Sequence, residues 1–214
     1  MDQSLLAWAR AVKRRSRTPH PVLWLFTDAA RGVDPLRAAA RLPKGLCGVV
    51  FRHDQTPDRA AIGRELAKIC RARRLTLVVA GDVRLAQALG AGVHLRGGHW
   101  PGPQGSELRR RRPITSSAHA LTDIRRAEQA GARVIFLSPV FPTASHPGAP
   151  SLGTLRWATL ARPTLARPTL ARPTLARSVQ KAAILALGGV TGRVARALPR
   201  EICRGAGAIG ALGG

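Results

Sequence analysis

Eight short apolar runs, most of them separated by helical or loop intervals, place the chain in the α/β class and point to a TIM-type (β/α)8 barrel. Two further observations support this. Paired glycines follow the seventh run, where such barrels often hold phosphate, and 214 residues suit one domain with a sizeable core. An open doubly wound sheet shares the alternation, but eight is the number that a closed barrel requires.

The first run, VLWLF at 22–26, follows an amphipathic segment in which Leu5, Leu6, Trp8, Ala9 and Val12 form an apolar face able to cover exposed sheet. GVV at 48–50 precedes a helix from Asp58 to Arg73, where Ile62, Leu66 and Ile69 recur at helical spacing. LTLVV at 75–79 leads into a shorter helix, Val83 to Leu89, ended near Gly90, and GVHL at 92–95 follows. PITSS at 113–117 precedes a helix from Asp123 to Ala130, with Thr122 as its N-cap and Gly131 as its stop. RVIFL at 133–137, AILAL at 183–187 and AIGAL at 208–212 complete the set. No room follows the last run, so the barrel is expected to lack its last outer helix. The incomplete ring would leave an apolar face for a homo-oligomer contact.

Residues 160–174 read LARPT three times. Pro163, Pro168 and Pro173 would remove amide donors from any helix drawn through them, and a period of five matches neither helix nor strand. The tract reads as a Pro-rich repeat insertion in a barrel occupying 21–214, with 1–20 as a basic N-terminal extension.

No run reaches the roughly eighteen apolar residues of a membrane span. LLAWA precedes KRRSR, the wrong order for a secretory signal, and Cys47, Cys70 and Cys203 form no close-spaced pair, so a cytoplasmic location is expected. The formal charge of +24, from 35 Lys plus Arg against 11 Asp plus Glu, attracts polyanions. Four Phe, four Trp and no Tyr offer few stacking platforms, and no helix-turn-helix, finger or RNA-binding signature appears. Specific nucleic-acid recognition is therefore not expected.

Barrel active sites form where strands end. Gly188 and Gly189 would let backbone amides approach an anion, Gly210 lies at the final strand, and a helix starting near Thr191 would add its dipole. Arg52 can donate bidentately to phosphate, Ser138 and Thr143 offer hydroxyls, and His119 and His146 can carry protons. The spacing of His53, His94, His99, His119 and His146 supplies no metal-ligand motif, and His94 suits a packed strand interior.

Five strings in order, LWLFTD at 23–28, LAQALGAGVHL at 85–95, SSAH at 116–119, AEQAGARVIFLSPVFPT at 127–143 and ALGGV at 186–190, resemble the thiamine phosphate synthase/TenI family over most of 22–212. The resemblance implies a barrel that binds a thiazole phosphate. Synthases join it to an aminopyrimidine methyl diphosphate with loss of diphosphate, using acidic magnesium ligands and cationic groups. TenI-type tautomerases instead aromatise a thiazole carboxylate phosphate by moving protons.

Compared position by position, Arg52 keeps the family arginine, while Val50 stands for glutamine and Asp54 for a diphosphate-binding lysine. Ala80 and Gly81 replace an Asn-Asp pair, and Gly97 and His99 replace a glutamine and a second magnesium-binding aspartate. Ser117 and His119 match the SxH segment, Thr143 matches the hydroxyl position, and Gly188 and Gly189 match the phosphate loop. His146 stands for a lysine, Ser138 for a glycine, and Pro139 keeps a synthase-like proline where a TenI-type chain has a histidine.

The resemblance and the loop positions together imply catalytic roles for Arg52, His119, Ser138 and His146, and substrate binding by Ser117, Thr143, Gly188, Gly189 and, from its place at the final strand, Gly210. No residue is assigned to metal, and Mg2+ enters only if synthase activity is retained. The leading reading is a divergent synthase in which Arg52 and His146 neutralise the leaving group. The alternatives are a tautomerase or other proton-transfer enzyme using His119 or His146, and a noncatalytic binder of thiazole phosphate. Each takes a phosphorylated thiazole or related small molecule as its partner.

Overall fold

Eight parallel strands close into a barrel in a computed structural model that describes residues 1–101, 112–144, 148–162 and 182–213. They are β1 (Leu23–Phe26), β2 (Cys47–Phe51), β3 (Thr76–Ala80), β4 (Gly92–Leu95), β5 (Ile114–Ala118), β6 (Val134–Leu137), β7 (Ala183–Ala186) and β8 (Ala206–Ala208). Each pairs with its sequence neighbours, and the ring closes where Leu23 and Leu25 of β1 meet Ala206 and Ala208 of β8.

The period of two along each strand divides the apolar residues between two cores. Trp24, Phe26, Val50, Val78, Ala80, Val134, Phe136 and Leu185 pack together as one buried cluster, consistent with the inward positions of the barrel. Their neighbours, among them Leu23, Leu25, Val49, Phe51 and Ile135, belong to the cluster shared with the helices. Phe136 meets Phe26 edge-on at 4.8 Å and Trp24 at 5.6 Å. A Cβ at Gly48 would stand 2.5 Å from the Trp24 ring, so the large side chain on β1 requires glycine on β2. His94 of β4 joins this interior: Nδ1 lies 2.8 Å from Thr115 Oγ1, and the ring sits against Phe26 and Phe136. Burial, reinforced by Arg52 and Arg96, pushes its pKa down to about 3.

The described α-helices are α1 (Gln3–Ser16), α2 (Pro35–Arg41), α3 (Arg59–Ala72), α4 (Val83–Ala88), α5 (Leu121–Gln129), α6 (Gly153–Ala161), α7 (Gly192–Ala195) and α8 (Gly210–Gly213). As its spacing predicts, α1 buries Leu5, Leu6, Ala9 and Val12. It packs beside α7, held by Asp2, whose amide donates to the Ala211 carbonyl and whose carboxylate accepts from Leu5 N at 3.0 Å and Gly192 N at 2.6 Å. All three cysteines are buried and free, and burial raises the Cys47 and Cys70 thiols to about 12.

Three local expectations need correction. The eighth strand is Ala206–Ala208, not the run at 208–212, because its inward residue must be Gly207: a Cβ there would lie 2.7 Å from Phe26. Residues 210–213, which overlap the end of that run, form the short α8 where no helix was expected after the last strand. The N-cap of α5 is Ala120 instead of Thr122, with Asp123 Oδ2 accepting from the His119 amide at 2.9 Å and the Ala120 amide at 3.2 Å. Of the LARPT tract, Leu160 and Ala161 finish α6 and Arg162 caps it, Ala161 being fully buried. The rest of the tract lies outside the described residues.

Candidate functional site

A cavity of about 520 Å³ opens at the C-terminal ends of the strands. The loop after β6 builds one wall. Its Val140 and Phe141 amides donate to the Leu187 and Gly188 carbonyls at 2.9 and 3.1 Å, which fastens it to the loop after β7. That approach depends on the glycines. A Cβ at Gly188 would stand 2.7 Å from Pro139 Cβ, one at Gly189 would stand 2.3 Å from the Pro142 carbonyl oxygen, and both residues have positive φ. Behind this wall, Trp157 of α6 is fully buried and its Nε1 donates to the Leu137 carbonyl at 3.1 Å.

The sequence-predicted residues largely converge here. Arg52, His119, Ser138, Thr143, Gly188, Gly189 and Gly210 all line the cavity. Ser117 does not line it; its Oγ accepts from the Gly97 amide at 3.3 Å and steadies the loop after β4. His146 lies outside the described residues. Among the described residues no group accepts from the Gly188 or Gly189 amides, leaving them available to a ligand. The helix expected at Thr191 contributes less than anticipated, because α7 has four residues and its Gly192 amide already donates to Asp2.

His119 has a defined orientation. Its Nδ1 donates to the Ser138 carbonyl at 2.9 Å, with Ser138 Oγ 3.4 Å away, so the neutral ring carries its proton on Nδ1 and keeps a lone pair on Nε2. Ser138 itself is buried.

Sequence reasoning missed Arg31. It lies on the short 3-10 turn Ala29–Arg31 after β1, lines the cavity, and brings Nη1 within 3.9 Å of where a Cβ on Gly210 would stand. Its Nε is 3.8 Å from Asp28 Oδ2, and Asp28 caps the turn through Ala30 N. The available signal was Asp28, an N-cap residue immediately after a strand. Among the described residues the cavity is therefore lined by two guanidiniums and no carboxylate.

The other side of the barrel mouth, at the ends of β2 to β4, is filled by an ion network. Arg59 donates from Nη2 to Asp54 at 3.0 Å and to the Ala80 carbonyl at 2.6 Å, and its Nη1 lies 3.4 Å from Asp82 Oδ2. Arg96 pairs with the other oxygen of Asp54, and Asp82 Oδ1 accepts from Leu85 N at 2.9 Å to cap α4. His53, buried nearby, places Nδ1 3.0 Å from Thr27 Oγ1, which accepts from the Arg52 amide. Burial lowers its pKa, Arg59 adding to that effect while Asp28 and Asp54 oppose it.

A magnesium ion holding a diphosphate needs free carboxylate oxygens here. Asp54 and Asp82 are committed to arginines and to a helix cap, and Ala80, Gly81, Gly97 and His99 supply no carboxylate. Among the described residues no group of three His, Cys, Asp or Glu could hold a metal ion. The described residues do not fit that metal centre.

Comparison with known proteins agrees with the fold and the family resemblance. A profile of the thiamine monophosphate synthase family matches residues 27–211. An Aquifex aeolicus (strain VF5) protein provisionally named thiamine-phosphate synthase 2 is 32% identical over 141 residues, covering 62% of this chain and 74% of that one. A Geobacillus kaustophilus (strain HTA426) thiamine-phosphate synthase is 34% identical over 95 residues, covering 41% of this chain and 40% of that protein's length. Among solved structures, the thiamine phosphate pyrophosphorylase from Pyrococcus furiosus superimposes with a TM-score of 0.65 at 23% identity, covering 90% of this chain and 87% of that one, a likeness of fold.

Proposed function

The chain belongs to the thiamine monophosphate synthase/TenI family, and on that premise we propose that its cavity binds a phosphorylated thiazole on which His119 moves protons. The observation that carries this reading is the hydrogen bond from His119 Nδ1 to the Ser138 carbonyl, which in the neutral ring leaves Nε2 of this cavity-lining residue as the nitrogen able to accept a proton. The amides of Gly188 and Gly189, unclaimed among the described residues, suit a phosphoryl group together with Arg31 and Arg52, and the acid-free described lining favours an anion. In the reaction, a proton leaves one ring carbon for Nε2, the electron pair shifts within the ring, and a proton returns at another position. Substrate and product have the same atoms, so the step requires no leaving group.

The coupling of a thiazole phosphate to an aminopyrimidine methyl diphosphate is the second reading. Arg52 in the cavity wall favours it, because a guanidinium there would neutralise departing diphosphate while Ser138 and Thr143 orient the reactants. The ion network at β2–β4 weighs against it.

The two readings separate in one assay, in which purified protein is given either a non-aromatic thiazole carboxylate phosphate or the two synthase substrates, each with and without magnesium. The expected result is turnover of the first substrate alone, independent of magnesium. His119→Gln should lower kcat about 10²- to 10⁴-fold with little change in KM, whereas Gly188→Ala, whose Cβ would meet Pro139, should impair both kcat and KM. Turnover of the synthase pair alone would overturn the proton-transfer reading, and tight binding without turnover in either assay would leave a noncatalytic binder.

A further inference from the structure

The direction of the chain segregates charge in this barrel. Helices run opposite to the strands they follow, so helix N-caps lie at the cavity end and helix C-termini at the other. Carboxylates concentrate at the cavity end. Asp2, Asp28, Asp34 and Asp82 cap helices or turns, Asp123 accepts from the amides that open α5, and Asp54 sits in the loop after β2.

Basic residues crowd the opposite face. Arg14, Arg15 and Arg17 end α1, and Arg15 Nε donates to the Arg200 carbonyl at 3.0 Å, joining that end to the loop before β8. Arg41 ends α2 and Lys44 lies in the connection from it to β2, while Arg71 lies in the last turn of α3 and Arg74 in the connection from it to β3. Arg112 precedes β5 and Arg133 precedes β6. The described carboxylates in these connections and helix ends are Glu128 and Glu201.

Attraction to helix-terminal carbonyls accounts for only part of this arrangement. Lys13, Arg15, Arg71 and Arg73 do donate to carbonyls on this face. By contrast, the side chains of Arg14, Arg17, Arg41, Lys44, Arg74 and Arg200 are exposed and make no hydrogen bond or ion pair among the described residues.

We propose that this face, opposite the cavity, docks sequence-independently onto the phosphate backbone of double-stranded nucleic acid. Cations spread around a whole barrel end match a linear array of phosphates better than a single small anion. Recognition is confined to the backbone, because the described connections of this face present no exposed aromatic side chain on which a base could stack. An anionic bilayer fits less well: the exposed large apolar residue among the described residues is Leu155 in α6, so the described residues of this face offer no apolar anchor to insert.

The test measures binding of a fluorescent 20-base-pair DNA duplex to the whole protein between 50 and 200 mM salt (chosen assay conditions, about the range over which counterion release is read). Micromolar binding is expected, with log K falling linearly against log salt. Replacing Arg14, Arg17, Arg74 and Arg200 together by Gln should weaken binding at least about tenfold and flatten the salt slope by about one per lost phosphate contact. A control replacing Arg10, Arg64, Arg125 and Arg156 removes the same charge from the barrel flank and should stay near the parent protein. Thermal unfolding verifies that both variants are folded. Equal weakening by the two sets, no loss in the first, or preference for phosphatidylserine vesicles or inorganic polyphosphate over the duplex would overturn the proposal.

Discussion

His94 shows how much one buried side chain can set. Locked between Thr115, Phe26 and Phe136, it stays neutral in the folded chain down to about pH 3, whereas the unfolded chain binds its proton near pH 6.5. The unfolded state therefore holds more protons across that window, and stability rises with pH from about 3 to 6.5, full above it and lost below. Denaturant titrations should show a slope approaching about 1.4 kcal/mol per pH unit from this group; His53 and His20, both lowered chiefly by burial, act in the same direction. A His94→Gln variant with an undiminished acid slope would remove His94 as the cause. Its interior place was legible because a strand's alternate positions are buried. Arg31 was not, because a cation one turn beyond a strand reads as solvated surface until the fold brings it to Gly210. For Gly188 and Gly189 the sequence suggested only an anion, and the structure shows a separate requirement for glycine, the close approach of Pro139 and Pro142.

Among the elements, the strands with bulky apolar residues were the easiest to foresee. VLWLF, LTLVV and RVIFL contain β1, β3 and β6 almost residue for residue. The eighth strand misled because Ala206, Gly207 and Ala208 carry almost no apolar bulk, while the more hydrophobic residues after them turn into α8. The helices α2 and α6 were not foreseen; α2 is short and alanine-rich, and α6 ends in the repeat tract. The first helix was foreseen as a cover for exposed sheet, but its tether was not, since a contact between Asp2 and Gly192 spans nearly the whole chain. Asp2→Ala removes both the N-cap of α1 and the acceptor for Gly192, and should cost about 1–2 kcal/mol, lowering Tm by several degrees. Unchanged unfolding would mean that the cap is dispensable.

At the level of the molecule, the outer layer depends on a segment that precedes the first strand. Leu5, Leu6 and Val12 are buried at 0%, 4% and 0% exposure. Each buried aliphatic side chain of this kind contributes about 1.5–3 kcal/mol, and three together rival a whole domain's net stability of roughly 5–15 kcal/mol. A chain beginning at Pro19 should therefore lose its cooperative thermal transition, and a sharp transition within a few degrees of the parent would refute that dependence. Closure of the barrel was predictable from eight runs and the family strings; the chemistry of its mouth was only partly so, because the ion pairs of Asp54 and Asp82 depend on which loops meet in space.

The loop after β6 touches two sides of the cavity, orienting His119 through Ser138 and resting on Gly188 and Gly189 through its prolines. In the proposed reaction this loop acts as a ruler, setting by main-chain geometry the span between the phosphorus atom and the carbon that loses its proton. Selectivity for the length of the ligand's tether would then outlast a substitution that abolishes turnover.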